Sequence, residues 1–156
     1  MSVPSAHAPL ATRASNFVDD YLLFQLASAS QHLSGAFHKR VKASGVKVHV
    51  WRVLACVVDQ PGLMLTSLSK LVLYEQSRLT KIIDQMVVDG LVTRKSVAGD
   101  RRKMAIYVTP KGRDVVTPLL GIAKTHEKKV LENLTESEQA VLKRVLNKLM
   151  ETGEQG

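Results

Sequence analysis

The fold is decided by residues 65–113, which read LTSLSKLVLYEQSRLTKIIDQMVVDGLVTRKSVAGDRRKMAIYVTPKGR. Residues 65–71 predict a short helix, with Thr66 as its expected N-cap. A second helical pattern follows and places four apolar residues on one face, namely Leu79, Ile82, Ile83 and Met86. Only a few residues near Tyr74 separate the two patterns, and Gly90 is well placed to end the second helix. This spacing is typical of a helix-turn-helix.

The pattern changes period after Gly90. Residues 91–95 and 104–108 are rich in β-branched and apolar side chains, and they predict two strands. Between them we expect a polar loop over residues 97–103, which contains a turn-forming Gly99-Asp100 pair. A hairpin that follows the second helix of a helix-turn-helix is a wing, so the stretch predicts a winged helix-turn-helix.

Helical patterns flank the winged motif on both sides. Residues 17–43 carry apolar side chains at helical spacing, and a further helix is expected at about residues 48–60. Pro110 suits the first turn of another helix, and Thr135 with Glu138 matches a capping box that opens the last one. The predicted fold class is mainly α with a small β-wing, a winged helix-turn-helix with N- and C-terminal helices forming a dimerisation region. The dimer is expected because those helices hold more apolar surface than a small winged helix covers.

The charge of the chain indicates a polyanionic partner. Its 156 residues carry a formal net charge of +8, and the excess is regional. Residues 39–52 contain several basic side chains and no acidic one, and residues 75–113 are also rich in Lys and Arg. Charge alone does not choose among DNA, RNA and a membrane surface. No apolar run approaches the ~18 residues needed to span a bilayer. The single cysteine, Cys56, suits a reducing cytoplasm, so a cytoplasmic protein is expected.

The motifs around the wing resemble those of the MarR family of bacterial regulators. The matching residues are Trp51-Arg52-Val53-Leu54, Leu79-Thr80-Lys81, Asp89-Gly90-Leu91-Val92-Thr93-Arg94, Asp100-Arg101-Arg102 and Val108-Thr109-Pro110-Lys111-Gly112. Their joint spacing is specific, and the resemblance covers about residues 17–150. It implies a ligand-responsive transcriptional repressor that binds a palindromic operator as a homodimer and is released by a small aromatic acid or a related metabolite.

The residues themselves also favour double-stranded DNA as the partner. Five polar side chains open the second helix of the helix-turn-helix and form its candidate DNA-binding set: Gln76, Ser77, Arg78, Thr80 and Lys81. Arg78 is suited to pair bidentately with guanine and Gln76 with adenine. The other three are better suited to phosphate contacts, which fix register rather than sequence.

The wing supplies the second expected DNA contact. Arg101, Arg102 and Lys103 are expected at the tip of the hairpin, where long cations reach the minor groove or flanking phosphates. We expect Arg102 to be the best of these contacts and include Arg94 in the DNA-binding set. The family resemblance implies that Asp100 pairs with an arginine and acts as a wing brace. Arg94 and Arg102 both remain candidates for that partner.

We expect the effector ligand to bind at the basic stretch 39–52. We select four candidate ligand-binding residues in and beside it: His38, His49, Trp51 and Arg52. An arginine near an aromatic ring suits a small aromatic carboxylate, and the positive charge equally suits an acyl-CoA thioester or additional DNA backbone. Ordinary roles stay open as well, with Trp51 as a core anchor, Arg52 in an ion pair and the histidines in solvent.

The sequence favours neither an enzyme nor a metalloprotein. It contains no nucleophile with an evident base, no glycine-rich phosphate loop and no His/Cys/Asp cluster with metal-ligand spacing. We therefore expect no cofactor, no metal and no catalytic residue, and expect Cys56 to be a small core residue rather than a redox sensor. Two alternatives to a ligand-responsive repressor remain. One is a non-sensing DNA-binding or architectural protein, and the other is a winged-helix interaction module for protein or RNA.

These patterns divide the chain into four expected regions. They are a flexible N-terminal tail at 1–16, a dimerisation helix at 17–45, a winged helix-turn-helix DNA-binding lobe at 46–113 and C-terminal dimerisation helices at 114–156.

Overall fold

The computed structural model describes residues 16–153, which divide after Gly35 into two compact units. The helices are α1 (Phe17–Asp20), α2 (Leu22–Ala43), α3 (Val48–Asp59), α4 (Leu65–Val72), α5 (Gln76–Val88), α6 (Pro110–Leu131) and α7 (Glu136–Gly153). The strands are β1 (Leu63–Met64), β2 (Val92–Val97) and β3 (Asp100–Val108). This confirms the predicted mainly α fold with a small sheet. Apart from Asn16, the predicted tail lies outside the described residues.

The unit that ends at Gly35 corrects the prediction of one continuous helix over residues 17–43. The chain breaks at Tyr21, whose backbone is extended (φ −76°, ψ 110°). Two hydrogen bonds from Gln25 stabilise the break. Its side-chain amide donates to the Asp19 carbonyl at 2.6 Å, and its backbone N–H donates to the Tyr21 carbonyl at 3.1 Å. Because an apolar stripe continues across such a break, spacing alone does not locate it.

The unit that begins at Ala36 is built on one main core, to which α3, α4, α5, α6 and the sheet contribute. Its buried members are Val53, Leu54, Val57, Leu68, Val72, Leu79, Ile83, Met86, Leu91, Val92, Ile106 and Val116. A smaller cluster holds Phe37, Val41 and Leu119. Trp51 packs against both clusters. Removal of these apolar side chains from water is the main force that holds the helices and the sheet together.

The turn between α4 and α5 depends on the backbone of Leu73. This residue adopts the left-handed conformation (φ 58°, ψ 43°), which is uncommon for a side chain other than glycine. Its N–H and that of Tyr74 both donate to the Ser69 carbonyl, the latter at 3.2 Å. The bonds satisfy a carbonyl at the end of α4, and α5 then begins at Gln76. The predicted helix-turn-helix is confirmed.

The sheet contains one strand that the sequence did not predict. Its order is β1-β3-β2, all antiparallel, and the short β1 pairs Leu63 with Ile106 and Met64 with Ala105. Met64 directly precedes α4, where no side chain caps the helix, so the predicted N-cap role of Thr66 is wrong. Strand pairing, rather than a hydroxyl group, holds the chain at the start of α4.

The hairpin of β2 and β3 is longer than predicted, and its loop is much shorter. Val97 pairs with Asp100, so only Ala98 and Gly99 form the turn, and Gly99 has a φ of 86°. The expected loop over residues 97–103 is therefore wrong. The register passes from Ser96 opposite Met104 directly to Val97 opposite Asp100. We call the residues left over on β3, Arg101, Arg102 and Lys103, the basic bulge, because extra residues on one strand form a β-bulge.

A compact clamp joins the foot of the hairpin to α6. Thr109 is the N-cap of α6, and its hydroxyl accepts the Gly112 N–H at 3.0 Å while it donates to the Gly90 carbonyl at 2.6 Å. The Thr109 N–H donates to the Leu91 carbonyl at 3.0 Å. A Cβ atom at Gly112 would lie 2.0 Å from that same carbonyl oxygen. Only glycine therefore fits where the end of α5, the start of β2 and the start of α6 meet.

The last helix begins as predicted. The Glu138 carboxylate accepts the backbone N–H of Thr135 at 2.8 Å, and the Thr135 hydroxyl accepts the Glu138 N–H at 3.3 Å. The hydrogen bonds from Thr135 hold the pKa of Glu138 below its usual range. The capping box is confirmed. No helix within residues 16–153 combines the length and the apolar character that a membrane span requires.

Replacement of Gly112 tests the clamp. We expect Gly112→Ala to lower the free energy of unfolding by about 3 kcal/mol, because the new methyl group overlaps backbone that cannot move aside freely. Gly121→Ala is the matched control, since nothing lies within 4 Å of a Cβ there and the position is inside α6. That control should raise stability by about 0.5–1 kcal/mol. Urea unfolding followed by circular dichroism measures both, and equal effects of the two changes would contradict the clamp.

Candidate nucleic-acid interface

The first turns of α5 present polar side chains outward and apolar ones to the core. Gln76, Ser77, Arg78 and Lys81 are exposed and Thr80 is partly exposed, whereas Leu79 and Ile83 are fully buried. The Thr80 hydroxyl donates to the Gln76 carbonyl at 2.8 Å, which leaves its lone pairs to accept. The five predicted residues thus share one accessible helix end, as contact with a groove of DNA requires.

A cleft of about 470 Å³ separates α5 from the wing. Its polar lining comes from Thr66 and Thr80 and from three cations, Arg94, Arg102 and Lys103, and no acidic residue within 16–153 lines it. Its remaining walls are apolar, formed by Met64, Leu65, Met104 and Ile106. Predicted residues of α5, β2 and the basic bulge are therefore brought together around one positively charged concave surface. Gln76, Ser77, Arg78, Lys81 and Arg101 do not line this cleft.

Arg94 links the wing to α5. Its guanidinium lies 2.6 Å from a carboxylate oxygen of Asp84, a residue in the middle of α5 that the sequence did not single out. The Arg94 side chain is partly exposed and that of Asp84 is exposed, so solvent screens the pair and its contribution to stability is small. The ion pair matters mainly for geometry, because it orients the Arg94 guanidinium, which also lines the cleft.

Asp100 contacts two residues of the basic bulge and stabilises its shape. One of its carboxylate oxygens accepts the backbone N–H of Arg102 at 3.0 Å, and the other lies 3.9 Å from the Lys103 ammonium. A carboxylate that accepts the N–H two residues ahead forms an Asx-turn. The sequence left open whether Asp100 pairs with Arg94 or with Arg102. Arg94 pairs with Asp84, and Arg102 meets Asp100 through its backbone rather than through its guanidinium.

Comparison with known proteins places this geometry in a family. A sequence model described as MarR family matches residues 44–103. The crystal structure of the MarR family transcriptional regulator SPO1453 from Silicibacter pomeroyi is 42% identical, with a TM-score of 0.79, and the match covers 88% of this chain and 98% of that one. The chain belongs to the MarR family. It is thus a MarR-family transcriptional regulator with the DNA-binding fold of that family, as the sequence predicted.

Two further similar proteins have lower sequence identity to this chain. The transcriptional regulator HosA of Escherichia coli is 24% identical over 102 residues, which are 65% of this chain and 76% of HosA. The structure of Bordetella bronchiseptica BpsR, whose DNA binding is regulated by 6-hydroxynicotinic acid, is 21% identical with a TM-score of 0.74. That match covers 87% of this chain and 96% of BpsR, and it shows the shared fold.

The four candidate ligand residues of this MarR-family chain have different surroundings. Trp51 meets Phe37 edge-on, with ring centroids 5.1 Å apart, between the two apolar clusters. Burial, followed by the charges of Arg52 and Lys42, lowers the pKa of His38. Burial, followed by Lys47 and Arg78, lowers the pKa of His49. Both imidazoles are therefore biased towards the neutral form.

The structure brings Arg52 near the ring of Tyr74, which it shares with Arg78. Its guanidinium carbon lies 6.0 Å from the ring centroid of Tyr74, and the guanidinium carbon of Arg78 lies 4.3 Å from the same centroid. Sequence reasoning treated Tyr74 only as part of a turn. Tyr74 lies before α5 and outside the helix, so helical spacing from Arg78 offered no signal for this contact.

Cys56 packs against the main core and is half-buried. Burial and the nearby Asp59 raise the pKa of its thiol, which disfavours the reactive thiolate. Within residues 16–153, no three His, Cys, Asp or Glu side chains lie close enough to hold a metal ion.

The bracing contact of Asp100 is testable by hydrogen exchange. Asp100→Ala removes the acceptor of the Arg102 N–H, and we expect exchange of that amide to accelerate about tenfold. Asp100→Asn removes the same negative charge but keeps an acceptor oxygen, so it should preserve most of the protection. Amide exchange followed by NMR separates the two variants. Equal exchange of the Arg102 amide in Asp100→Ala and the unchanged protein would show that the carboxylate does not hold the bulge.

Proposed function

We propose that this protein is a cytoplasmic, homodimeric repressor that binds a palindromic operator in duplex DNA and is released by a small aromatic acid or a related metabolite. The observation that carries the proposal is the acid-free cleft between α5 and the wing, with cations on its wing side. A phosphate backbone is the polyanion that such a surface suits best, because each contact displaces condensed counterions.

In this proposal α5 enters the major groove. Arg78 and Gln76 stand on its exposed first turn and reach base edges, with guanine and adenine as their respective partners. Ser77, Thr80 and Lys81 contact phosphates and fix the register of the helix on the duplex.

The basic bulge is proposed to meet the minor groove or its flanking phosphates. Arg102 is the expected main contact, since it lines the cleft and its backbone is held by Asp100. Arg101 and Lys103 are expected to add phosphate contacts. Arg94, paired with Asp84, is expected to position the wing and to contribute positive potential.

Dimerisation is proposed through the regions 17–45 and 114–156, with 46–113 as the DNA-binding lobe. Helix α7 exposes a row of large apolar side chains: Val141, Leu142, Val145, Leu146, Leu149 and Met150. The N-terminal unit exposes Phe17, Leu22, Leu23 and Phe24. Exposed apolar surface on this scale favours a protein partner. A two-fold dimer places two copies of α5 about one DNA turn apart, which matches a palindrome.

The effector is proposed to bind near His38, His49, Trp51 and Arg52. DNA binding by BpsR, which shares the fold, is regulated by 6-hydroxynicotinic acid. In this chain Arg52 is the candidate partner of a ligand carboxylate, and Trp51, whose ring centroid lies 5.1 Å from that of Phe37, is the candidate aromatic contact. An acyl-CoA thioester is the second candidate, since its phosphates suit the basic residues 39–52.

Alanine substitutions test the DNA contacts. Arg78→Ala and Arg102→Ala should each weaken operator binding, by about 1–3 kcal/mol for Arg78 if it reads a guanine. Lys81→Ala should reduce the salt dependence by about one unit of slope and weaken all duplexes alike. Lys128→Ala, which removes an exposed charge from the end of α6, is the control. Mobility-shift titrations at physiological salt measure these affinities. Unchanged operator binding by both arginine variants would refute the proposed DNA interface.

Ligand response is tested on the same duplex. A panel of hydroxylated benzoic and nicotinic acids and their CoA thioesters should include a compound that dissociates the complex. Arg52→Ala should weaken the response to that compound more than it weakens DNA binding itself. Fluorescence anisotropy measures both. A complex that no compound of the panel releases would favour the non-sensing alternative.

A further inference from the structure

Tyr74 carries two guanidinium groups on one aromatic ring. The guanidinium carbon of Arg78 lies 4.3 Å from the ring centroid, and that of Arg52 lies 6.0 Å away. Both distances are within the range in which a cation is attracted to the π-face of a ring. One ring therefore contacts the candidate base-reading arginine of α5 and the candidate effector residue of α3.

Among the residues that the structure describes, the two arginines have no competing acidic partner. Within residues 16–153, neither Arg52 nor Arg78 forms an ion pair with a carboxylate. Arg94, by contrast, forms an ion pair with Asp84 at 2.6 Å. The ring of Tyr74 is thus the contact that the structure offers to restrain the otherwise exposed side chain of Arg78.

The ring is a fixed support for this contact. Tyr74 is partly buried and packs against the main core. The left-handed backbone of Leu73 and the hydrogen bond from the Tyr74 N–H to Ser69 set the direction in which the residue leaves the turn. Arg78 lies in the first turn of a helix that rests on the same core, so the backbones that carry the ring and the arginine are both held by that core.

We propose that Tyr74 is a positioning residue, whose ring orients the Arg78 guanidinium before that group contacts a base. The inference rests on the proposed function, in which Arg78 reads a guanine. A long arginine side chain loses rotamer freedom when it binds, and a contact already made in the free protein reduces that loss. Tyr74 therefore strengthens recognition of the operator without touching DNA.

The test compares Tyr74→Leu with Tyr74→Phe, which keeps the ring face. Tyr74→Leu should weaken binding to the operator about twofold to fivefold, with unchanged affinity for a scrambled duplex and an unchanged salt slope. Tyr74→Phe should bind the operator as the unchanged protein does. In an Arg78→Ala background, Tyr74→Leu should have no further effect, because the two residues act as one unit. Tyr74→Met replaces Tyr74→Leu if the latter does not fold.

Each outcome of these titrations either supports or overturns the positioning role of Tyr74. Equal loss in Tyr74→Leu and Tyr74→Phe would overturn the role of the ring, and so would an effect of Tyr74→Leu that persists in the Arg78→Ala background. Stronger operator binding by Tyr74→Leu would show that the ring holds Arg78 away from DNA, and the proposal would fail. If Arg78→Ala weakens binding and Tyr74→Leu does not, only this inference fails. If Arg78→Ala has no effect, the proposed base contact fails with it.

Discussion

The close contact between Gly112 and the Leu91 carbonyl is the constraint on which the candidate interface depends. Three elements meet there, because Leu91 follows α5 and leads into β2, while Gly112 lies in the first turn of α6. Thr109 joins them by hydrogen bonds to the carbonyls of Gly90 and Leu91. With the foot of the hairpin fixed in this way, the basic bulge lies across the cleft from α5. The clamp gives a physical reason for the threonine and the glycine of the motif at 108–112.

The cations of this interface are restrained by different neighbours. Arg94 has a carboxylate from α5, Arg78 has the ring of Tyr74, and the backbone of Arg102 is tied to Asp100. Each restraint lowers the entropy that binding would otherwise cost. None of them covers the cleft with negative charge, since Asp84 and Asp100 do not line it. Preorganisation and positive potential are therefore combined in one surface.

The sequence predicted what depends on local spacing and missed what depends on distant partners. Apolar periodicity reports burial directly, so the helix-turn-helix was predicted correctly, and three of the four apolar residues named on its second helix, Leu79, Ile83 and Met86, are buried. The strand β1 and the start of α4 depend on pairing with residues about forty positions away. The basic bulge depends on the register of two strands, and the roles of Asp84 and Tyr74 depend on which exposed side chains meet. The break at Tyr21 depends on hydrogen bonds from Gln25, which an apolar pattern does not record.

The central claim is that two copies of this chain recognise one palindromic duplex through their winged helix-turn-helix motifs. The most direct measurement is a titration of a palindromic promoter fragment at physiological salt, with the mass of the complex determined by sedimentation. We expect two chains per duplex and an affinity at least about 10³-fold higher than for a scrambled duplex of equal length. A single bound chain, or equal affinity for both duplexes, would contradict it.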